Sequence, residues 1–153
     1  MRAPGRAAVG GATILLAAAC ALAVLAATAH AQSEMAASSK HFADALRQAP
    51  EKARTRHSPV EHQLDAAAAG GKLFEMHCAE CHGPKANGTR RGPSLLGSEM
   101  QQAPPGAIFW VLTNGVVRHG MPVWSKLPEP ERWQIVTFLK SFRGQPASKE
   151  GAL

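Results

Sequence analysis

Residues 78–82 carry two cysteines and a histidine in the order C-x-x-C-H, and this pattern limits what the chain can fold around. A zinc site would need a second pair of ligands downstream, but no cysteine follows Cys81. A thioredoxin-like redox pair would need a βαβ context, which the sequence lacks. The remaining interpretation of the motif is covalent attachment of a c-type haem. We therefore expect Cys78 and Cys81 to form thioethers to one haem c, and His82 to ligate its iron.

The N-terminus has the pattern of a secretory signal peptide. Arg2 and Arg6 precede an apolar, alanine-rich run, and the A-x-A sequence at residues 29–31 predicts cleavage before Gln32. The run is nearly long enough for an uncleaved membrane anchor, although it is only weakly apolar. Cys20 has a poor lipoprotein boundary and is better explained as a small residue of a discarded helix. We predict a periplasmic protein of a bacterium, with anchoring to the cytoplasmic membrane as the alternative.

The rest of the chain is predicted to be one domain with an extension and a tail. We assign residues 1–31 to the signal peptide, 32–66 to a polar, loosely structured extension, 67–144 to the haem domain and 145–153 to a disordered tail. The haem domain holds almost all of the aromatic and large aliphatic side chains. A core this small usually needs additional stabilisation, such as a disulfide or a bound cofactor, and a covalently held haem would provide it.

Three helices are predicted around the motif, and because no run alternates convincingly at period two, the expected fold class is all-α. The first covers residues 65–78, and its glycines at 70 and 71 indicate the close approach of a crossing helix. The second follows two prolines and covers 107–113. The third begins at the prolines and acidic residues of 128–131 and ends before Gly144.

These residues resemble the class I (mitochondrial-type) cytochromes c, particularly the short bacterial single-haem domains. The resemblance covers residues 70–142, with a glycine and an aromatic in the first helix, then C-x-x-C-H, Gly-Pro-x-Leu at 92–95, a loop methionine and an aromatic-bearing last helix. It implies a small helical fold packed around one haem c. It also implies that the last helix crosses the first at Gly71, and that the Pro93 carbonyl accepts a hydrogen bond from His82.

The sixth ligand of the iron is the main open choice. Met121 lies in the Gly-Met-Pro sequence of residues 120–122, where glycine permits unusual dihedrals and proline stiffens the loop. This loop also resembles the ligand loop of the family, and we predict Met121 as the ligand. The competitor is His119, which would give two imidazole ligands and a lower potential. Three other methionines are set aside as ligands. Met76 is too close to Cys78, Met35 lies in the polar extension, and nothing in the sequence around Met100 would fix its position.

Three further side chains are candidate haem contacts. Arg91 precedes the Gly-Pro turn, and it either pairs with a haem propionate or lies solvated on the surface. Trp110 and Trp124 are large enough to wall the haem pocket, or they belong to the general core.

The predicted site indicates electron transfer rather than catalysis. An iron with both axial positions filled moves electrons, and the chain offers no nucleophile with a partnering base. We therefore predict no catalytic residue and a one-electron carrier between redox proteins. Two alternatives stay open: a haem-binding subunit or domain of a larger dehydrogenase or oxidase complex, and a catalytic or gas-binding haem whose sixth ligand is labile.

Charge gives an expectation about partners. The chain has 17 Lys and Arg against 11 Asp and Glu, and removal of Arg2 and Arg6 with the leader leaves a formal charge of +4. We expect a monomer that docks on redox proteins with an acidic surface and binds no nucleic acid. A generally solvated basic surface is the alternative. The charges of residues 32–68 cancel, so the surplus lies on the haem domain, in residues such as Lys85, Arg90, Arg91, Arg118 and Lys126.

Overall fold

The structure, a computed structural model, describes residues 10–143, with side chains from residue 21 onward apart from those of Met35 and Leu64. This range contains two isolated β-bridges and no strand, so the predicted all-α class is confirmed. Its helices are α1 (Gly10–Gln48), α2 (Glu51–Arg54), α3 (Leu64–His77), α4 (Ala79–His82), α5 (Ser98–Gln102), α6 (Pro105–Asn114) and α7 (Glu129–Ser141), with a 3-10 turn at Val117–His119.

The three helices predicted from the sequence are α3, α6 and α7, and their ends follow local backbone chemistry. Pro104 and Pro128 precede α6 and α7 in an extended conformation, and each helix has a further proline in its first turn. Proline suits this position because the first backbone N–H groups of a helix have no partner within it. Gly115 ends α6 with a φ of 67°, a value that other residues rarely adopt.

A close backbone contact joins α3 to α7 at Gly70. A Cβ atom at Gly70 would lie 2.0 Å from the carbonyl oxygen of Gln134, whereas one at Gly71 would lie 3.3 Å from the ring of Phe138. The expectation that the helices cross at Gly71 is therefore wrong by one residue. Neighbouring residues of a helix are rotated by about 100°, so only Gly70 faces the backbone of α7.

Aromatic side chains fill the core on both sides of this crossing. Phe74 of α3 and Trp133 of α7 are almost completely buried. The Trp133 ring stacks on Phe109 of α6 at 4.1 Å between centroids, and Phe74 meets Phe138 at 5.3 Å. These offset and tilted contacts are the arrangements that aromatic pairs prefer, and they join three helices into one core.

The stretch predicted to be a loose extension differs from that expectation. Helix α1 continues to Gln48, and its Leu46 and the following Ala49 are buried in the domain core. Phe42, Ala45, Leu46 and Ala49 follow the i, i+3, i+4, i+7 spacing of a helical apolar face. Sequence reasoning missed this face because two of its four residues are alanines. The boundaries proposed for the signal peptide and the haem domain stay predictions.

The chain between α2 and α3 is also attached to the domain. Arg56 Nη2 lies 2.5 Å from Glu129 Oε1, and its guanidinium group lies over the ring of Phe109 at 4.6 Å. The buried hydroxyl groups of Ser58 and Thr137 are hydrogen-bonded at 3.2 Å. These contacts hold the segment against α6 and α7.

The chain divides into two compact units, and the boundary lies between Glu34 and Met35. Helix α1 belongs to both, and the side chains of residues 21–34 are exposed. Among the residues that the structure describes, no helix has both the length and the hydrophobicity needed to span a membrane. The predicted tail at 145–153 and the first residues of the predicted signal peptide lie outside the described residues.

The two glycines of α3 should respond differently to alanine. We expect Gly70→Ala to lower the free energy of unfolding by about 1–3 kcal/mol, because its Cβ would overlap a backbone carbonyl. Gly71→Ala should change it by less than about 1 kcal/mol, because the gain in helix propensity offsets a small shift of the Phe138 ring. Denaturant unfolding of the haem-loaded protein, followed by far-UV circular dichroism, measures both. Equal losses would contradict the crossing at Gly70.

Candidate functional site

A cavity of about 400 Å³ lies beside the C-x-x-C-H segment. Its volume falls in the range of roughly 300–1,000 Å³ that is usual for bound organic groups. The predicted site residues that line it are Cys78, Cys81, His82, Arg91, Pro93, Met121 and Trp124. Its apolar walls come from the core, and include Phe74, Leu95, Met100, Ile108, Val111, Leu112, Ile135 and Leu139.

The single turn of α4 brings the motif together. The amide nitrogens of Cys81 and His82 both donate to the carbonyl oxygen of Cys78, at 3.1 and 2.9 Å. Residues at i, i+3 and i+4 share one face of a helix, so both sulfurs and the imidazole point toward the cavity. Both thiols are free, and burial raises the pKa of Cys78 to about 12. Its thiol therefore stays protonated at neutral pH.

The His82 ring is held by one hydrogen bond inside the protein. Its Nδ1–H donates to the carbonyl oxygen of Pro93 at 2.9 Å, and the residue is only 8% exposed. Burial lowers the pKa of His82, against the opposing effect of the Pro93 hydrogen bond. The ring is thus neutral with a lone pair on Nε2, which is the form that binds a metal ion. The hydrogen bond expected from the family resemblance is present.

The turn that carries Pro93 lies directly against α4. A Cβ atom at Gly92 would be 2.9 Å from the carbonyl oxygen of Cys81 and 3.2 Å from Cε1 of His82. The Thr89 hydroxyl donates to the same Cys81 carbonyl at 2.6 Å and accepts from the Arg91 amide at 2.9 Å. The sequence analysis did not identify Thr89, because an isolated threonine gives no signal that its hydroxyl bridges two segments.

The remaining predicted contacts divide into two groups. Trp124 lines the cavity and meets the ring of His77 at 5.4 Å. The Arg91 guanidinium reaches the cavity rim, where it pairs with the Glu80 carboxylate. Trp110 does not line the cavity; it is half-buried against the hydrophobic core, so its prediction as a haem contact needs correction. It lies on a different face of α6 from Ile108 and Val111, which do line the cavity.

A closed loop presents Met121 to the same cavity as His82. Val116 and Met121 exchange two backbone hydrogen bonds, at 3.0 and 3.3 Å, and this pair closes the 3-10 turn between them. Gly120 completes the turn in a left-handed conformation with a φ of 84°. The Trp124 amide then donates to the Leu112 carbonyl at 3.3 Å and ties the loop to α6.

His119, the competing ligand candidate, takes part in a different contact. It is exposed at the edge of the cavity, and its ring stacks on that of His41 from α1. The ring centroids are 3.8 Å apart and the planes differ by 12°. Ser38, His41 and Phe42 also line the cavity, and none of them was predicted. The apolar spacing that begins at Phe42 was the available signal.

The residues present fit a covalently attached haem. Two thiols lie on one helical turn, a buried neutral imidazole has its second nitrogen free, a thioether lines the same cavity and the walls are apolar. Among the described residues, no cluster of three or more His, Cys, Asp or Glu is arranged to hold a bare metal ion. This donor set is therefore suited to an iron that arrives inside a large apolar ring.

Comparison with known protein families gives a match to the haem domain. Residues 65–139 match the family model described as cytochrome c oxidase, cbb3-type, subunit III. No curated protein and no solved structure matches the chain. The matched segment runs from α3 to α7 and includes the cavity with its C-x-x-C-H motif.

Gly92 should be sensitive to alanine, because its Cβ would push the turn away from α4 and weaken the hydrogen bond from His82 to Pro93. We expect Gly92→Ala to lower the free energy of unfolding of the haem-loaded protein by about 1–3 kcal/mol. The control is Gly97→Ala, where a Cβ meets only the end of the Glu99 side chain, and we expect a change within about 0.5 kcal/mol. Urea unfolding measures both, and equal effects would contradict the tight approach.

Proposed function

We propose that this chain, whose residues 65–139 form a small cytochrome c domain, carries single electrons between redox proteins. A cytochrome c domain implies a covalently bound haem c. We propose one haem, because the sequence contains one C-x-x-C-H. The observation that carries the proposal is the cavity that His82 and Met121 both line, with the His82 ring fixed by Pro93.

In this proposal, Cys78 and Cys81 would hold the haem through thioethers, and His82 and Met121 would bind its iron. When bound, haem supplies an iron that changes between ferrous and ferric states by one electron. The Pro93 carbonyl orients His82 and increases its basicity as a ligand. A thioether from Met121 favours the ferrous state, so it raises the potential above that of a protein with two imidazole ligands.

The surrounding side chains exclude water and limit rearrangement. The cavity walls are formed largely by buried aliphatic and aromatic residues of the core. The turn that orients His82 and the loop that carries Met121 are held by backbone hydrogen bonds, from Thr89 to Gly92 and between Val116 and Met121. Rigid ligand supports keep the same ligands in both oxidation states, which favours electron transfer over catalysis at the iron. We therefore propose no catalytic residue in this chain.

A second candidate function is supported by the family match. The matching family is described as a subunit of a cbb3-type cytochrome c oxidase, which supports a haem-carrying subunit of a larger oxidase complex as the alternative to a freely diffusing carrier. The site chemistry is the same in both cases. For location, the A-x-A pattern before Gln32 supports a periplasmic protein, with anchoring to the cytoplasmic membrane as the alternative.

Carbon monoxide tests the closed coordination of the iron. We expect the dithionite-reduced protein to keep its spectrum under carbon monoxide, because Met121 occupies the sixth position. Met121→Ala should convert fully to the carbon monoxide adduct, whereas His119→Ala should leave most molecules without it. Optical spectra before and after addition of the gas measure this. An adduct in the unmodified protein would favour a gas-binding or catalytic haem, and opening by His119→Ala alone would make His119 the ligand.

Salt dependence tests docking on acidic partners. Arg118 and Lys126 are exposed on either side of Met121, whereas Arg91 is already paired with Glu80. We expect the rate of oxidation by an anionic reagent to fall severalfold between about 0.01 and 0.15 M ionic strength, as the Debye length shortens from about 30 to about 8 Å. Stopped-flow kinetics measures this, with a neutral oxidant as control. If the rate with the anionic reagent does not change with salt, electrostatic steering toward this surface is excluded.

A further inference from the structure

Residues 38–49 form a helical strap against the haem domain, and the proposed function uses none of them. Leu46 and Ala49 are buried in the core, with Phe42 packed against it. Asp44 pairs with Lys40 at 3.0 Å and with Arg47 at 2.5 Å along the outer side of the helix. Leu46 and Ala49, which do not line the cavity, thus fix the strap to the domain by their own packing.

The strap reaches the cavity at His41. The imidazole of His41 stacks on that of His119 with the centroids 3.8 Å apart, and both residues line the cavity. His119 is exposed and belongs to the 3-10 turn that the backbone pair of Val116 and Met121 closes. A continuous set of contacts therefore runs from the buried strap to the backbone of the predicted sixth ligand.

The backbone bonds alone leave the outer side of this turn uncovered. The His119 amide donates to Val116 at 2.8 Å and the Gly120 amide to Val117 at 3.1 Å, but residues 117–120 are exposed. Exposed turns of this kind open locally at low cost in free energy. The ring of His41 is the strap's contact with the outer part of the turn, and it restricts that motion.

We propose that His41 is a positioning residue that holds the Met121 loop closed through its stacked contact with His119. The inference rests on the proposed function, in which Met121 is the sixth ligand. In physical terms, helix α1 stabilises the bond between the iron and Met121, although Met121 lies on a loop far away in the sequence. Loss of the His41 ring should raise the fraction of molecules with an open sixth position, and should lower the reduction potential because the thioether stabilises the ferrous state.

The experiment uses the full, haem-loaded protein, unmodified and as the variants His41→Ala, His41→Phe, Lys40→Ala, His119→Ala and the double variant of His41 and His119. The measurements are the rate at which cyanide displaces the sixth ligand of the ferric protein, and the reduction potential. We expect His41→Ala to raise the displacement rate roughly threefold to tenfold, the change that loss of one aromatic contact produces. We expect its potential to fall. His41→Phe should restore both values, because a ring at this position can still stack on His119.

Lys40→Ala is the matched control, because it removes the exposed ion pair to Asp44 on the same helix without touching the cavity. His119→Ala removes the same contact from the loop side and should match His41→Ala, with no further effect in the double variant. It replaces His41→Ala if circular dichroism shows that variant to be unfolded.

The possible failures can be told apart. An unchanged rate and potential in both histidine variants would overturn the proposal, and so would equal effects of Lys40→Ala and His41→Ala, which would indicate general weakening of the helix. If Met121→Ala leaves the spectrum of the protein unchanged, the proposed ligation itself is wrong, whatever the strap does.

Discussion

The close approach of α3 and α7 at Gly70 is the constraint on which the rest of the structure depends. Because a carbonyl of α7 occupies the space where a Cβ would lie, the two helices pack backbone to backbone. Phe74 and Trp133 are then buried on either side of the contact, and α6 is added through the stacked ring of Phe109. The C-x-x-C-H segment follows directly from the end of α3, so this crossing sets where the motif faces the core.

Two irregular segments complete the site, and backbone hydrogen bonds close both of them. The turn with Gly92 and Pro93 lies against α4 so closely that the Pro93 carbonyl reaches the buried imidazole of His82. The loop with Met121 is closed by its bridge to Val116. Loops held in this way can present a ligand firmly although they contain little regular structure, since their polar groups are satisfied internally.

The strap adds a third element that a minimal haem domain would not need. It provides part of the cavity wall through Ser38, His41 and Phe42, and it brings a second imidazole against the Met121 loop. His119 therefore has a structural partner, which gives it a role other than that of a competing ligand. In the proposed function, the same arrangement would connect residues 38–49 to the properties of the iron.

The sequence alone determined the all-α class, the three main helices and the covalent attachment motif, because proline starts, glycine stops and C-x-x-C-H are local signals. The family resemblance pointed to Pro93, and the structure shows its carbonyl oxygen hydrogen-bonded to His82. Only the tertiary structure decided that Gly70 rather than Gly71 meets α7, that Trp110 lies away from the cavity and that residues 38–49 pack on the domain. These depend on which side of a helix faces a neighbour, and a rotation of about 100° per residue separates adjacent positions that look equivalent in the sequence.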